Sequence, residues 1–365
     1  MQPFQVSKSI RKSPIIRLQS VPHFDVENMA SKIGFALFGM GSMGIEHVKN
    51  IVMSPRASLQ WIIRKKLKDA QQFITEFDLS TQCGTPDMID QVMNDSNVQA
   101  VVISSPTDTH EPLLRKSLEA GKSVFCEKPI TTEIATTAAC YDLAKKKRKP
   151  LFCAFQRRFD PSFQQVHDKI RSGELGRLRV LKSTSRDVEP PPVSYVKSSG
   201  GIFFDSTIHD LDVVSWMVGS KPRTVYAQGN AFNPEIGHCG DNDQVFVVIK
   251  HENGVLSFID NGRLAPYGYD QRVEVLCEKG MLTVENRPLY NMTSHTAMGS
   301  TVPQIDQIYK TRYVEAYRNE LEHFLDVIQE KDELKVTKED TIKAMRLANL
   351  CSESVKARKE LIYMD

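Results

Sequence analysis

Paired cysteines, a charge imbalance and long apolar runs are all missing from this chain, and each absence closes a class of function. The seven cysteines, at 83, 126, 140, 153, 239, 277 and 351, are odd in number and contain no C-x-x-C. They read as free thiols in a reducing compartment, not as a disulfide framework or a zinc site, and no metal is expected. A net charge of +2 is too small for a general field that recruits nucleic acid or a membrane. No run of 18 apolar residues occurs, so no membrane-spanning helix is expected. Acids are missing before Asp25, where Lys8, Arg11, Lys12 and Arg17 stand among serines. That composition fits a mitochondrial transit peptide, a disordered tail, or an extension ahead of a start at Met29. Residues 1–31 are therefore set apart from the fold. A cytoplasmic location is expected, or a mitochondrial one if the tail is a targeting signal.

What is present suits two ordinary globular domains. The chain has 365 residues, 41% of them hydrophobic and 25% charged, enough for two separate cores. Lys32–Phe38 is a short apolar run that predicts a buried parallel strand. It runs into Gly39-Met40-Gly41-Ser42-Met43-Gly44, a complete G-x-G-x-x-G, and then into a helical stretch, Ile45–Val52. Set between strand and helix, this motif predicts a dinucleotide site. Gly39 permits the tight turn, Gly41 lets backbone amides approach a pyrophosphate, and Gly44 lets helix and strand pack closely. The phosphates would meet the helix N-terminus, where unpaired amides favour an anion.

Twenty positions on, where an acid would bind the ribose of NAD, stands Arg64, followed by Lys65 and Lys66. These cations favour NADP over NAD. A polar loop, Ser104–His110, leaves the strand Gln99–Ile103 and includes Pro106, Thr107 and His110. A further strand, Ser123–Cys126, delivers Glu127-Lys128-Pro129 to the same edge of the sheet, where open α/β sheets bind ligands. The basic run Lys145–Lys149 reads as cations at a helix C-terminus facing water, not as a nucleic-acid site. A strand at Leu151–Phe155 closes the first domain, over 32–155.

The remainder, 156–365, alternates differently. Strands are expected at Arg179–Ser185, Thr224–Gly229, Gln244–Lys250, Val255–Asp260, Arg272–Cys277 and Met281–Val284, with an Asn-Gly hairpin at Glu252-Asn253-Gly254. They predict a largely antiparallel sheet covered by helices on one face, with the other face open to a second subunit. The whole is thus an N-terminal Rossmann domain plus an α+β domain. Pro190-Pro191-Pro192 predicts a lid or rim. Two long helices, Tyr313–Gln329 and Lys338–Arg358, finish the chain. Between them and the proline run lies Gly200–Asp212, GGIFFDSTIHDLD. If helical, it puts Asp205 and His209 on one face, one turn apart, with Gly219 closing the helix. A carboxylate so placed can orient the imidazole or accept a substrate hydroxyl, and the imidazole can take a proton near neutral pH. Tyr267–Arg272 is either a pocket wall for a hydroxylated ligand or a polar turn.

With Gly39–Gly44, Glu127-Lys128-Pro129 and Asp205-x-x-x-His209 together, the chain resembles the Gfo/Idh/MocA oxidoreductases from about residue 32 to its end. Phe155–Asp160, Ser185-Arg186-Asp187, Gly200–Asp212 and Tyr267–Arg272 resemble its inositol-oxidising branch. The resemblance implies an NAD(P)-dependent dehydrogenase of a cyclitol or sugar, a homodimer or tetramer. It implies catalysis by Lys128, Asp205 and His209, with Arg158, Asp187 and Tyr269 at the substrate and Thr107 and His110 near the nicotinamide. Scyllo-inositol, sugar and dihydrodiol dehydrogenases share the pattern. A cofactor-sensing regulator shares the fold but has no need of Lys128, Asp205 and His209 together.

Overall fold

The computed structural model describes residues 32–364, so the expectations placed on residues 1–31 lie outside them. Six strands build the first sheet: β1 (Ile33–Phe38), β2 (Ala57–Ile63), β3 (Gln82–Gly84), β4 (Ala100–Ile103), β5 (Ser123–Cys126) and β6 (Leu151–Cys153). Five helices join them: α1 (Ser42–Met53), α2 (Lys68–Glu76), α3 (Ile89–Asn94), α4 (His110–Glu119) and α5 (Ile134–Lys147). All pairings are parallel, in the order β3-β2-β1-β4-β5-β6. Strands β1, β4, β5 and β6 are buried at every position, which is why they read as unbroken apolar runs. The strand order reverses between β1 and β4, and the crevice beyond their carboxyl ends is where such sheets take ligands. The glycine turn leaves β1 there, Ser104–His110 leaves β4, and Glu127 and Lys128 leave β5.

The second half opens with α6 (Pro161–Ser172). The Asp160 carboxylate caps it by accepting from the Ser162 and Phe163 amides, and Gly173 ends it in the left-handed conformation. There follow β7 (Leu178–Arg186), α7 (Val193–Val196), α8 (Ile208–Val218), β8 (Pro222–Asn230), α9 (Pro234–His238), β9 (Gln244–His251), β10 (Leu256–Gly262), β11 (Asp270–Cys277) and β12 (Met281–Val284). An exposed hairpin, β13 (Ser294–Thr296) and β14 (Gly299–Thr301), precedes α10 (Tyr309–Arg312), α11 (Val314–Ile328), α12 (Lys338–Ala357) and β15 (Leu361–Ile362). The second sheet has the order β12-β11-β7-β10-β9-β8-β15; β7 and β10 are parallel and the other neighbours antiparallel. Its inner face buries Leu181, Val225, Val247, Ile259 and Val275 with Leu211 and Val214 of α8. Its outer face leaves Val180, Phe246, Val248, Leu256 and Leu276 exposed.

Two features depart from the sequence reading. Gly200–Asp212 is not one regular helix. Gly200 and Gly201 both take positive φ, Phe203–Thr207 winds as a π-helix, and α8 begins only at Ile208. Such wide turns re-aim side chains and recur at functional sites. The division at residue 155 also separates the chain but not the packing. Leu321, Phe324 and Leu325 of α11 and Ala344 and Met345 of α12 complete the first core, while Leu347, Ala348 and Cys351 of α12 enter the second. Each such apolar side chain contributes about 1.5–3 kcal/mol on burial, so one helix clamps both halves around the crevice.

Candidate active site

Lys128 reaches across the crevice from the end of β5. Its Nζ donates to the backbone carbonyl of Asp205 at 2.5 Å and lies 3.8 Å from the Asp205 carboxylate. The Asp205 carboxylate, on the π-helical turn, is held by three partners. Asp205 Oδ1 accepts from the Tyr195 hydroxyl at 2.7 Å, and Oδ2 from Arg263 at 2.9 Å. Arg263 is 1% exposed and also meets Asp241 at 3.3 Å. Burial alone would raise the Asp205 pKa, but the charges of Lys128 and Arg263, with the Tyr195 and Arg263 hydrogen bonds, outweigh it and hold the carboxyl below 3.8. The expectation that Asp205 orients the His209 ring is therefore corrected: its oxygens are committed to Tyr195, Arg263 and Lys128.

His209 sits edge-on to Phe155 at 6.0 Å between centroids. Its Nδ1 is buried without a partner, which leaves Nε2 as the nitrogen a ligand can reach. Burial, then the charges of Lys128 and Arg157, push its pKa well below 6.5, so the ring is neutral and able to accept a proton. Asp187, just past β7, is the third titrating group here. Burial and the neighbouring Asp205 raise its pKa to about 6 against the pull of Arg263, Arg157 and Lys128. Tyr269 is buried, edge-on to Tyr313 at 6.2 Å, and Asp187 is among the groups that act on it.

Arg158 is not at this site, contrary to the reading above. Its guanidinium is bidentate to Asp212 at 2.6 and 2.9 Å and bonds Asp340 at 3.1 Å and the Lys335 carbonyl at 2.8 Å. The neighbouring Arg157 turns the other way, to Asp210 at 2.8 Å and Ser185 at 3.1 Å. The two arginines thus grip two aspartates of α8 and fix the helix that carries His209. Asp210 and Asp212 stand in the same Gly200–Asp212 run, but the spacing singled out only Asp205 and His209. Arg263 and Tyr195 carried no motif by which to find them.

On the nucleotide side, a Cβ at Gly39 (φ 89°) would lie 2.6 Å from the Ser105 Cα, and one at Gly44 would lie 2.2 Å from the Gly39 carbonyl. Gly41 faces open space, with nothing within 4 Å. No side chain caps α1 and its first turn holds no acid, so its first amides are available to an anion. These features fit a dinucleotide pyrophosphate. Met40 is buried in the first core, Met43 packs against a small cluster of Tyr269, Tyr313, Ala316 and Tyr317, and the Ser42 hydroxyl bonds that of Tyr309. Pro106 and Thr107 remain at the crevice edge, on the turn that leaves β4. His110 does not: its two nitrogens lie 2.9 Å from the carbonyls of Pro129 and Ser105, and the ring is buried. It staples the two loops together and is not free for a nicotinamide. Glu127 is likewise engaged inward, by His47 at 2.8 Å and by the Lys128 amide at 3.3 Å. Arg64 follows β2 and pairs with Asp69 at 2.9 Å. Among the described residues no group of three His, Cys, Asp or Glu could hold a metal, and no helix is long and apolar enough to cross a membrane.

Comparison with known proteins follows the same division. Residues 33–155 match the model of an oxidoreductase family with an NAD-binding Rossmann fold, and 163–283 match the GFO/IDH/MocA C-terminal domain. An inositol 2-dehydrogenase of Rhizobium meliloti (strain 1021) is 35% identical over 330 residues, 90% of this chain and 98% of that one. The crystal structure of a putative myo-inositol dehydrogenase from Sinorhizobium meliloti 1021 superposes with a TM-score of 0.87 at 35% identity, covering 91% of this chain and 99% of that one. A scyllo-inositol dehydrogenase from Lactobacillus casei, solved with NAD(H) and scyllo-inositol, gives a TM-score of 0.82 at 26% identity, covering 91% and 99%.

Proposed function

The chain belongs to the Gfo/Idh/MocA family of oxidoreductases, and on that footing we propose that it is an inositol 2-dehydrogenase, oxidising one secondary alcohol of a cyclic polyol to a ketone. The observation that carries the reading is the meeting of Lys128, from the nucleotide-binding half, with Asp205, from the other half, beside a neutral His209. The inositol dehydrogenases among its relatives support the substrate class.

When bound, the nicotinamide supplies the two-electron acceptor. The chain's own residues handle the proton and the charge. His209 takes the proton of the reacting hydroxyl as general base. Lys128 donates a charge-assisted hydrogen bond to the alkoxide that develops. Asp205, kept ionised by Arg263, holds the Lys128 amine in place; Arg157 and Arg158 hold α8. Asp187 and Tyr269 line the substrate side. The glycine turn, with Pro106 and Thr107, holds the dinucleotide. A sensor without turnover is the less economical reading, because it leaves the Lys128–Asp205 pairing without a use.

For the cofactor, the family's NAD-binding domain and an NAD(H)-bound relative support NAD. Arg64, Lys65 and Lys66 leave NADP accommodated, because an exposed pair such as Arg64–Asp69 contributes at most about 1 kcal/mol against a 2′-phosphate. The exposed apolar outer face of the second sheet supports a homo-oligomer built through it. We place the enzyme in the cytoplasm, the mitochondrial alternative resting on residues 1–31. The deciding experiment follows nicotinamide fluorescence with NAD and NADP against myo-inositol, scyllo-inositol, glucose and a dihydrodiol. Turnover of an inositol with NAD is the expected result; a preference for the sugar or the dihydrodiol replaces the substrate, and no turnover with any of them restores the sensor.

A further inference from the structure

The proline run leads into a feature that the mechanism above does not use. Pro190, Pro191 and Pro192 stiffen the connection out of β7, and α7 follows at once. Val196 of α7 is buried and pins it down, while Tyr195 stays 48% exposed and reaches its hydroxyl to Asp205 Oδ1 at 2.7 Å. That oxygen is the one 3.8 Å from the Lys128 amine. Tyr309 lies on the other side, bonded to Ser42 at the start of α1, and is among the groups that act on Tyr195. Two tyrosines of the second half thus stand beside the site, one bonded to the start of α1 and the other to Asp205.

We propose that Tyr195 is a specificity-determining residue that recognises the substrate hydroxyl on the ring carbon next to the one oxidised. The inference rests on the polyol reading above and deepens it. A phenol has one proton to give. Here it goes to a carboxylate, which can only accept, and burial together with Asp205 keeps the phenol protonated. What the Tyr195 oxygen still offers is lone pairs. A hydroxyl on a neighbouring carbon can donate to it; a methylene or a carbonyl at that place cannot. Because the anchoring oxygen faces Lys128, the group read by Tyr195 flanks the carbon whose oxygen Lys128 holds. The site so built selects vicinal diols and leaves the phenol oxygen without a donor when an isolated alcohol is bound.

The test compares the intact enzyme and Tyr195→Phe on myo-inositol and on deoxy-inositols lacking one hydroxyl flanking the oxidised carbon. One uncharged hydrogen bond is worth about 0.5–1.5 kcal/mol, so an effect of about 2- to 12-fold is expected. Tyr195→Phe should lose that factor in kcat/KM on myo-inositol, mainly through KM, and the intact enzyme should lose it on one of the deoxy compounds. On that same compound the variant should match the intact enzyme within about 2-fold, the non-additivity expected of partners in contact. The substitution removes one oxygen from a half-exposed ring, so folding is not at issue. An equal loss on all compounds, or no loss on any, overturns the proposal while leaving the dehydrogenase reading intact. An intact enzyme that turns over no inositol overturns both.

Discussion

Removing Arg158 separates a scaffold from a substrate contact. In Arg158→Met the Asp212 carboxyl, 1% exposed, loses a bidentate partner at 2.6 and 2.9 Å, and Asp340 loses one at 3.1 Å. Breaking a buried pair on one side costs about 3–5 kcal/mol, because the remaining charge has no water to replace its partner. The loss should depend on pH with a definite sign. Burial already holds Asp212 above its ordinary 3.8, against the pull of Arg158, and without that pull it rises further. An acid whose folded pKa exceeds its unfolded pKa binds its proton more tightly in the fold, so stability falls as pH rises between the two values. The variant should therefore be nearest to the parent at the acid end, toward pH 3.8, and fall further behind as pH rises. Urea unfolding at several pH values reads this. Arg158→Met/Asp212→Leu should recover much of the loss, since two apolar groups no longer oppose one another. At temperatures where the variant stays folded, KM for inositol should be unchanged. A raised KM with unaltered stability would return Arg158 to the substrate pocket and undo the assignment of the scaffold role to it.

Three further outcomes are expected. His209→Ala or Lys128→Met should lower kcat by about two to four orders of magnitude while NAD affinity, read by fluorescence titration, stays within a few-fold; a nearly active His209→Ala removes that residue from the proton step. Because burial and the charges of Lys128 and Arg157 lower the His209 pKa well below 6.5, its base form persists there, and the acid limb of kcat/KM should be set by Asp187 near pH 6 or lie below it; Asp187→Asn tells these apart. Glu320, fully buried with neither oxygen partnered, has its pKa raised well above 4.5 by burial and by Glu127. Glu320→Gln should therefore abolish a loss of stability that sets in above about pH 4.5, and thermal melts at pH 5 and pH 9 that respond alike in both proteins would argue against it.

Some of this molecule was determined by neighbouring residues alone. The G-x-G-x-x-G turn announces itself by its spacing, and at Gly44 the reason is local as well, since a Cβ there would strike the Gly39 carbonyl; at Gly39 the obstacle is Ser105, at the exit of the neighbouring strand. The apolar runs of β1, β4 and β5, the Asn-Gly hairpin before β10 and the Thr337–Asp340 capping box on α12 are local in the same sense. Lys128 and Asp205 were identifiable as types and spacings, which is why they could be nominated 77 positions apart. Their contact could not, because it depends on how α12 clamps two cores together. Adjacent arginines at 157 and 158 look alike in a sequence, yet on the short turn Gln156–Phe159 one meets Ser185 and the other Asp340. His110 looks like a ligand-facing imidazole until two loops close on it. Arg263 and Tyr195 had no pattern at all: what makes them functional is a single carboxylate brought between them by a widened helical turn, and only long-range packing decides where that carboxylate lies.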